Sequence, residues 1–144
     1  MHFLKGFLLI TLITLGVVSC TKEKTDPPAA DLTGVWQWVR SDGGIGNNIH
    51  YTPATTGKQV TLKLTADRQF FFYSHGVLTS QGTYTLENGT CIHDGKQKTR
   101  INFSSCPDQM IHLLEDKSLH LSDEAHDGIS SQYSRAEMSI YQPK

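Results

Sequence analysis

The residues with chemistry to offer are three cysteines, Cys20, Cys91 and Cys106, and seven histidines, spread over 144 residues. Paired cysteines form disulfides, and cysteine with histidine holds metals or works as a nucleophile with its base. Spacing narrows each option. Cys91 and Cys106 have fourteen residues between them. His112 and His120 fall opposite each other if Leu113 pairs with Leu119 across a hairpin. That pair offers two metal ligands where a stable zinc site needs three or four. The nearest acids, Glu115 and Asp116, sit in the turn, so the pair reads as solvent-facing and no metal site is expected. Asp123, Glu124, His126 and Asp127 form a polar group without the order of oxygens that a calcium loop needs. Neither a Gly-x-Ser-x-Gly elbow nor a phosphate-cradling glycine loop occurs. The chain is therefore expected to be no enzyme and to carry no cofactor.

The elements that would position these residues read as β-strands. Residues 58–65 alternate, with Val60, Leu62 and Leu64 on one face and Thr61, Lys63 and Thr65 on the other. A turn at residues 66–69 leads to Phe70, Phe71, Phe72 and Tyr73. An odd turn pairs Leu64 with Phe70 and Leu62 with Phe72; an even turn pairs Leu64 with Phe71 and moves every side chain to the other face. His75-Gly76, Asn88-Gly89 and Asp94-Gly95 are turn signals, and Gly82 suggests a bulge or bend. Further extended stretches fall at residues 35–40, 77–86, 100–103, 110–114, 119–121 and 132–141. About eight to ten short strands without an amphipathic helix indicate an all-β antiparallel barrel or sandwich. Residues 41–57, with four of the twelve glycines and Pro53, read as one long loop, which is either a cap over one mouth of a barrel or a plain surface excursion.

Composition is that of an ordinary soluble fold, at 38% hydrophobic and 19% charged residues. A net charge of −1 with no basic stripe argues against nucleic acid as a partner. Nothing after residue 20 is apolar for long enough to span a bilayer as a helix.

Lys5 and the apolar residues 6–18 have the form of a secretory leader. Its end, Val17, Val18, Ser19 and Cys20 in series, resembles the lipobox of bacterial lipoproteins. The resemblance implies a signal peptide over residues 1–19, cleavage before Cys20, a diacylglycerol on its sulfur and an acyl group on the new amino terminus. Such chains anchor firmly, at roughly 0.8 kcal/mol per buried CH₂. Residues 20–30, with Pro27-Pro28, then form a tether, and residues 31–144 the folded domain. Thr21 in place of an aspartate implies the outer membrane of a Gram-negative envelope. Removing residues 1–19 takes away Lys5 and no acid, moving the net charge from −1 to −2. An exported domain meets an oxidising compartment, so Cys91 and Cys106 are expected to pair, with two buried free thiols as the rival. Closing that loop would stabilise by roughly 3 kcal/mol.

Leu32, Thr33, Gly34, Val35 and Trp36 resemble the Gly-x-Trp opening of the lipocalin superfamily. With Gly44-Ile45, Thr52-Pro53, Gly82-Thr83-Tyr84, Asp127-Gly128 and Tyr133-Ser134-Arg135, the chain looks like the lipocalin-like domain of small bacterial lipoproteins. The match runs over most of residues 32–135. It implies an eight-stranded up-and-down barrel and favours the odd turn, with Phe70 and Phe72 inside and Phe71 and Tyr73 outside. It also implies that Trp36 closes the barrel floor under Arg135, a contact worth about 0.5–2 kcal/mol. The expected function is a lipid-anchored envelope module holding a small apolar ligand, with Trp38, Leu62, Phe70, Phe72, Tyr84 and Phe103 as lining candidates. The alternative is a filled barrel whose outside engages or inhibits an envelope protein.

Overall fold

A computed structural model of the chain describes residues 32–136. Cys20, the leader, the tether and residues 137–144 lie outside the described residues. Nine strands follow in order: β1 (Gly34–Gly43), β2 (Ile49–Tyr51), β3 (Val60–Leu64), β4 (Gln69–Ser74), β5 (Val77–Thr90), β6 (Gln97–Phe103), β7 (Gln109–Leu114), β8 (Ser118–Ser122) and β9 (Ile129–Arg135). All pairings are antiparallel between neighbours, and β9 returns to β1. The result is a closed eight-stranded up-and-down barrel, with β2 as an extra strand on the far half of β1. Closure removes the free edges that an open sheet would expose.

The register obeys the alternation. Leu64 pairs with Phe70 and Leu62 with Phe72, the odd turn, made possible by Arg68 at φ 63°. Trp36, Leu62, Leu64, Phe70, Tyr84, Ile101, Leu119 and Leu121 are almost wholly buried in one core. Phe71 and Tyr73 face outward but are half-buried, with the Lys63 ammonium 5.8 Å from the Phe71 ring centre. Gly82 carries no bulge: the register slips between Phe72 and Tyr73, opposite Thr79. Gly82 instead allows close approach, since a Cβ there would lie 2.2 Å from Ser104 Oγ and 3.0 Å from the Phe70 ring.

Three further expectations are corrected. Asn88-Gly89 is not a turn; β5 runs through it, pairing Asn88 with Thr99 and Gly89 with Lys98. The hairpin turns at Asp94-Gly95, where Cys91 N–H donates to the Lys96 carbonyl and Gly95 takes φ 67°. His112 does not face His120: a bulge at His112 pairs Ile111 with Leu121, Leu113 with His120 and Leu114 with Leu119. Residues 41–57 are not a plain loop. They hold the end of β1, a 3₁₀ turn (Ile45–Asn47), β2 and one helical turn (Pro53–Thr56).

One end of the barrel is sealed. The guanidinium carbon of Arg135 stands 4.1 Å from the Trp36 ring centre, and Trp36 Nε1 donates to the Leu32 carbonyl at 2.9 Å. Arg135 also donates to the Thr33 carbonyl at 2.6 Å. Gly34 explains its own place in the motif: at φ 140°, a Cβ there would meet Arg135 Nη1 at 2.5 Å. The lack of a side chain lets the arginine cross the strand.

Candidate functional site

The other end of the barrel carries a cleft of about 480 Å³. Trp38 and Ser41 of β1, Val60 of β3, and Ser131 and Tyr133 of β9 reach it from the wall. Tyr51, Thr56 and Lys58 reach it from the arch that residues 41–58 form over the mouth. Strand register explains the meeting. Trp38 pairs with Tyr133, and Ser41 with Ser131, across the β1–β9 seam. A bulge between Trp38 and Arg40 brings both Trp38 and Ser41 to the buried face, although they are three positions apart.

A chain of hydrogen bonds runs along this seam. Trp38 Nε1 donates to Ser41 Oγ at 2.9 Å, and Ser41 Oγ shares a hydrogen bond with Ser131 Oγ at 2.8 Å. Ser131 is also bonded to the Tyr133 hydroxyl. A ligand in the cleft would therefore meet two aromatic faces and a line of hydroxyls able to donate or accept. Burial pushes the Tyr133 phenol up to about 12, with the Ser131 bond pulling it down. The unfolded chain gives up that proton near its ordinary value of 10 while the folded chain keeps it. The stabilisation is thus complete below pH 10 and is lost, by about 2–3 kcal/mol, as pH rises towards 12. Tyr133→Phe should flatten this alkaline limb in urea titrations repeated across that range. An unchanged limb would show that the phenol titrates as if exposed.

The arch is built, not loose. Thr52 caps the helical turn, Pro53 occupies its first position, and Gly57 ends it at φ 67°. His75 Nε2 donates to the Gly57 carbonyl at 2.8 Å, tying the arch to the β4–β5 turn. Asp42 faces Arg40 at 3.1 Å and His50 at 2.9 Å on its other side.

Of the six lining candidates only Trp38 borders the cleft. Leu62, Phe70 and Tyr84 are almost wholly buried, and Phe103 nearly so. Phe70 packs edge-on against Phe103 at 4.8 Å and against Phe72 at 5.8 Å. These side chains pack against one another in the barrel core below the cleft. Ser41, Tyr51, Ser131 and Tyr133 were not among the candidates; the only signal was the serine-rich run of residues 130–134 beside a tyrosine.

The two remaining cysteines are not joined. Cys91 is fully buried at one end of β6 and Cys106, half-buried, follows the other end, where it lies 3.3 Å from Ser80 Oγ. The seven residues of β6 lie between them, a span of about 20 Å at the rise of an extended strand. A disulfide needs Cα atoms within about 7 Å. Flanking one hairpin was misleading because the second cysteine lies beyond the returning strand.

Nothing matches this chain among models of protein families, curated proteins or solved structures.

Proposed function

We propose that this chain is a lipid-anchored lipoprotein of the bacterial envelope whose barrel binds one small, largely apolar ligand. The cleft over the Trp38–Ser41–Ser131–Tyr133 seam carries the binding part of the reading. At about 480 Å³ it falls within the range of small-molecule sites, roughly 300–1,000 Å³. Its apolar faces and short line of hydroxyls suit a ligand with an aromatic or aliphatic body and one polar end, and Lys58 at the rim suits an acidic one. The leader and the Val17–Cys20 series support the anchor and the outer-membrane address, and the Gly34, Trp36 and Arg135 arrangement supports a lipocalin-like module. The reading is of binding and not of catalysis.

The filled lower barrel favours the alternative of a protein-interaction module. Val77 and Leu78, 67% and 44% exposed beside the β4–β5 turn, would be its contact surface. One experiment separates the two. The full chain is made in a Gram-negative cell, purified from its membranes, and its organic extract analysed by mass spectrometry against a Ser131→Trp variant that fills the cleft. The binding reading predicts a co-purifying small molecule near one per chain, absent from the variant. Equal recovery from both would contradict it. Cys20→Ser should leave the membrane fraction and lose the mass of the acyl groups; a variant that stays with the membrane would remove the anchor from the account.

A further inference from the structure

Cys91 and Met110 are wholly buried, yet neither belongs to the barrel core. They lie on the outer side of the wall, where Met110 pairs with Arg100 and residues 91–96 and 123–128 meet. Three donors converge there: Cys91 Sγ from the β5–β6 turn, His112 from the β7 bulge and the Glu124 carboxylate from the β8–β9 turn. One donor atom from each lies within 4.8 Å of the others. His112 Nε2 is 3.8 Å from the sulfur.

We propose that Cys91, His112 and Glu124 form a site for a borderline-soft divalent cation of the zinc class. Sulfur, imidazole and carboxylate are the donor set such ions prefer. With bonds of about 2.0–2.3 Å, tetrahedral ligand atoms stand roughly 3.2–3.8 Å apart, so the site need contract by only about 1 Å. A second observation concerns the same carboxylate. Glu124 Oε2 accepts from the Ile92 N–H at 2.9 Å, which fixes the carboxylate, while Oε1 is buried with no hydrogen-bond partner. A buried carboxylate oxygen left unpaired is costly, and a cation would satisfy it. The adjoining cleft, about 640 Å³ and lined by His93, His112, Asp123 and His126, is the route in, and His93, its ring 6.4 Å from that of His112, is a candidate fourth ligand.

The bulge makes this geometry. In an unbroken strand His112 would pair with His120; the slip at His112 frees it from that pairing. Lys98 opposes the cation. Its ammonium lies 3.0 Å from His112 Nδ1 and 3.7 Å from the sulfur, and Asp94 holds it at 2.8 Å. When Nε2 takes the metal, Nδ1 carries a proton, and Lys98 turns fully to Asp94. Binding breaks the Cys91 S–H bond, whose proton goes to solvent, and moves the imidazole proton from Nε2, where the Lys98 contact at Nδ1 places it, to Nδ1.

The test is titration of the full, reduced chain with Co²⁺ under anaerobic conditions, followed by displacement with Zn²⁺. The expected result is one equivalent of Co²⁺ with an intense thiolate charge-transfer band in the near ultraviolet. Cys91→Ser should abolish the band. His112→Gln and Glu124→Gln should weaken binding by about 10–100-fold or more, with melting curves reporting that each variant is folded. Lys98→Met should bind more tightly than the parent, an effect that scattered surface histidines would not show. No thiolate band in the parent, or a band retained in Cys91→Ser, overturns the proposal. If Cys91→Ser does not fold, unchanged affinity in both His112→Gln and Glu124→Gln overturns it equally.

Discussion

Trp36→Ala should lower the unfolding free energy by about 3–5 kcal/mol, the usual cost of truncating a large buried aromatic. Domains of this size are stable by about 5–15 kcal/mol in all, so the variant stands near the edge of folding. Three losses coincide. The indole is 0% exposed, so its removal leaves a void at the sealed end. Its N–H no longer satisfies the Leu32 carbonyl. Arg135 loses the ring beneath it and keeps its bonds to the Thr33 and Asp116 carbonyls. Trp36→Phe keeps most of the apolar volume and should lose clearly less. Urea unfolding followed by far-ultraviolet circular dichroism measures both. A loss under about 1 kcal/mol for the alanine variant would mean that the seal is not where the barrel's stability lies.

Trp38→Ala should act on binding. Trp38 is the large aromatic of β1 that borders the cleft, and one fully covered side chain of this kind contributes roughly 1.5–3 kcal/mol. The dissociation constant of an apolar probe should rise by about tenfold to somewhat over a hundredfold. Ser41 loses the indole donor at the same time, which loosens the hydroxyl line facing the ligand. Val77→Ser, on the exposed patch beside the β4–β5 turn, should leave the constant unchanged. The reverse pattern, with Val77 sensitive and Trp38 not, would move the working surface to the outside of the barrel. Isothermal titration with a water-soluble aromatic alcohol reads both variants directly.

Much of the fold is legible in residue order because strand alternation is a local signal. Val60, Leu62 and Leu64 set against Phe70 and Phe72 permit only two registers, and the observed one is odd. The floor is also legible, since Gly34, Trp36 and Arg135 depend on one another for space and for a ring contact. Turn chemistry was less informative. Asn88-Gly89 and Asp94-Gly95 carry similar local preferences, and pairing with residues 97–103 selects the second. The bulge at His112 has no local mark, so alternation alone pairs Leu113 with Leu119, where the structure places Leu114. The cleft was hardest to foresee. Ser41 and Ser131 are ninety positions apart and polar, and only barrel closure brings them to 2.8 Å. Apolar residues invited assignment to the ligand, yet Leu62, Phe70, Tyr84 and Phe103 are consumed in packing one another.

The most direct test of ligand binding in the cleft is contact quenching by a heavy atom. The chain has two tryptophans, Trp36 at the sealed floor and Trp38 at the cleft. The full-length Trp36→Phe and Trp38→Phe variants, each held in lipid nanodiscs, are titrated with para-bromobenzyl alcohol while tryptophan emission is recorded. The account predicts saturable one-to-one quenching when Trp38 is the sole emitter and almost none when Trp36 is. Equal quenching of both, or a linear response without saturation, would contradict a ligand site at the mouth of this barrel.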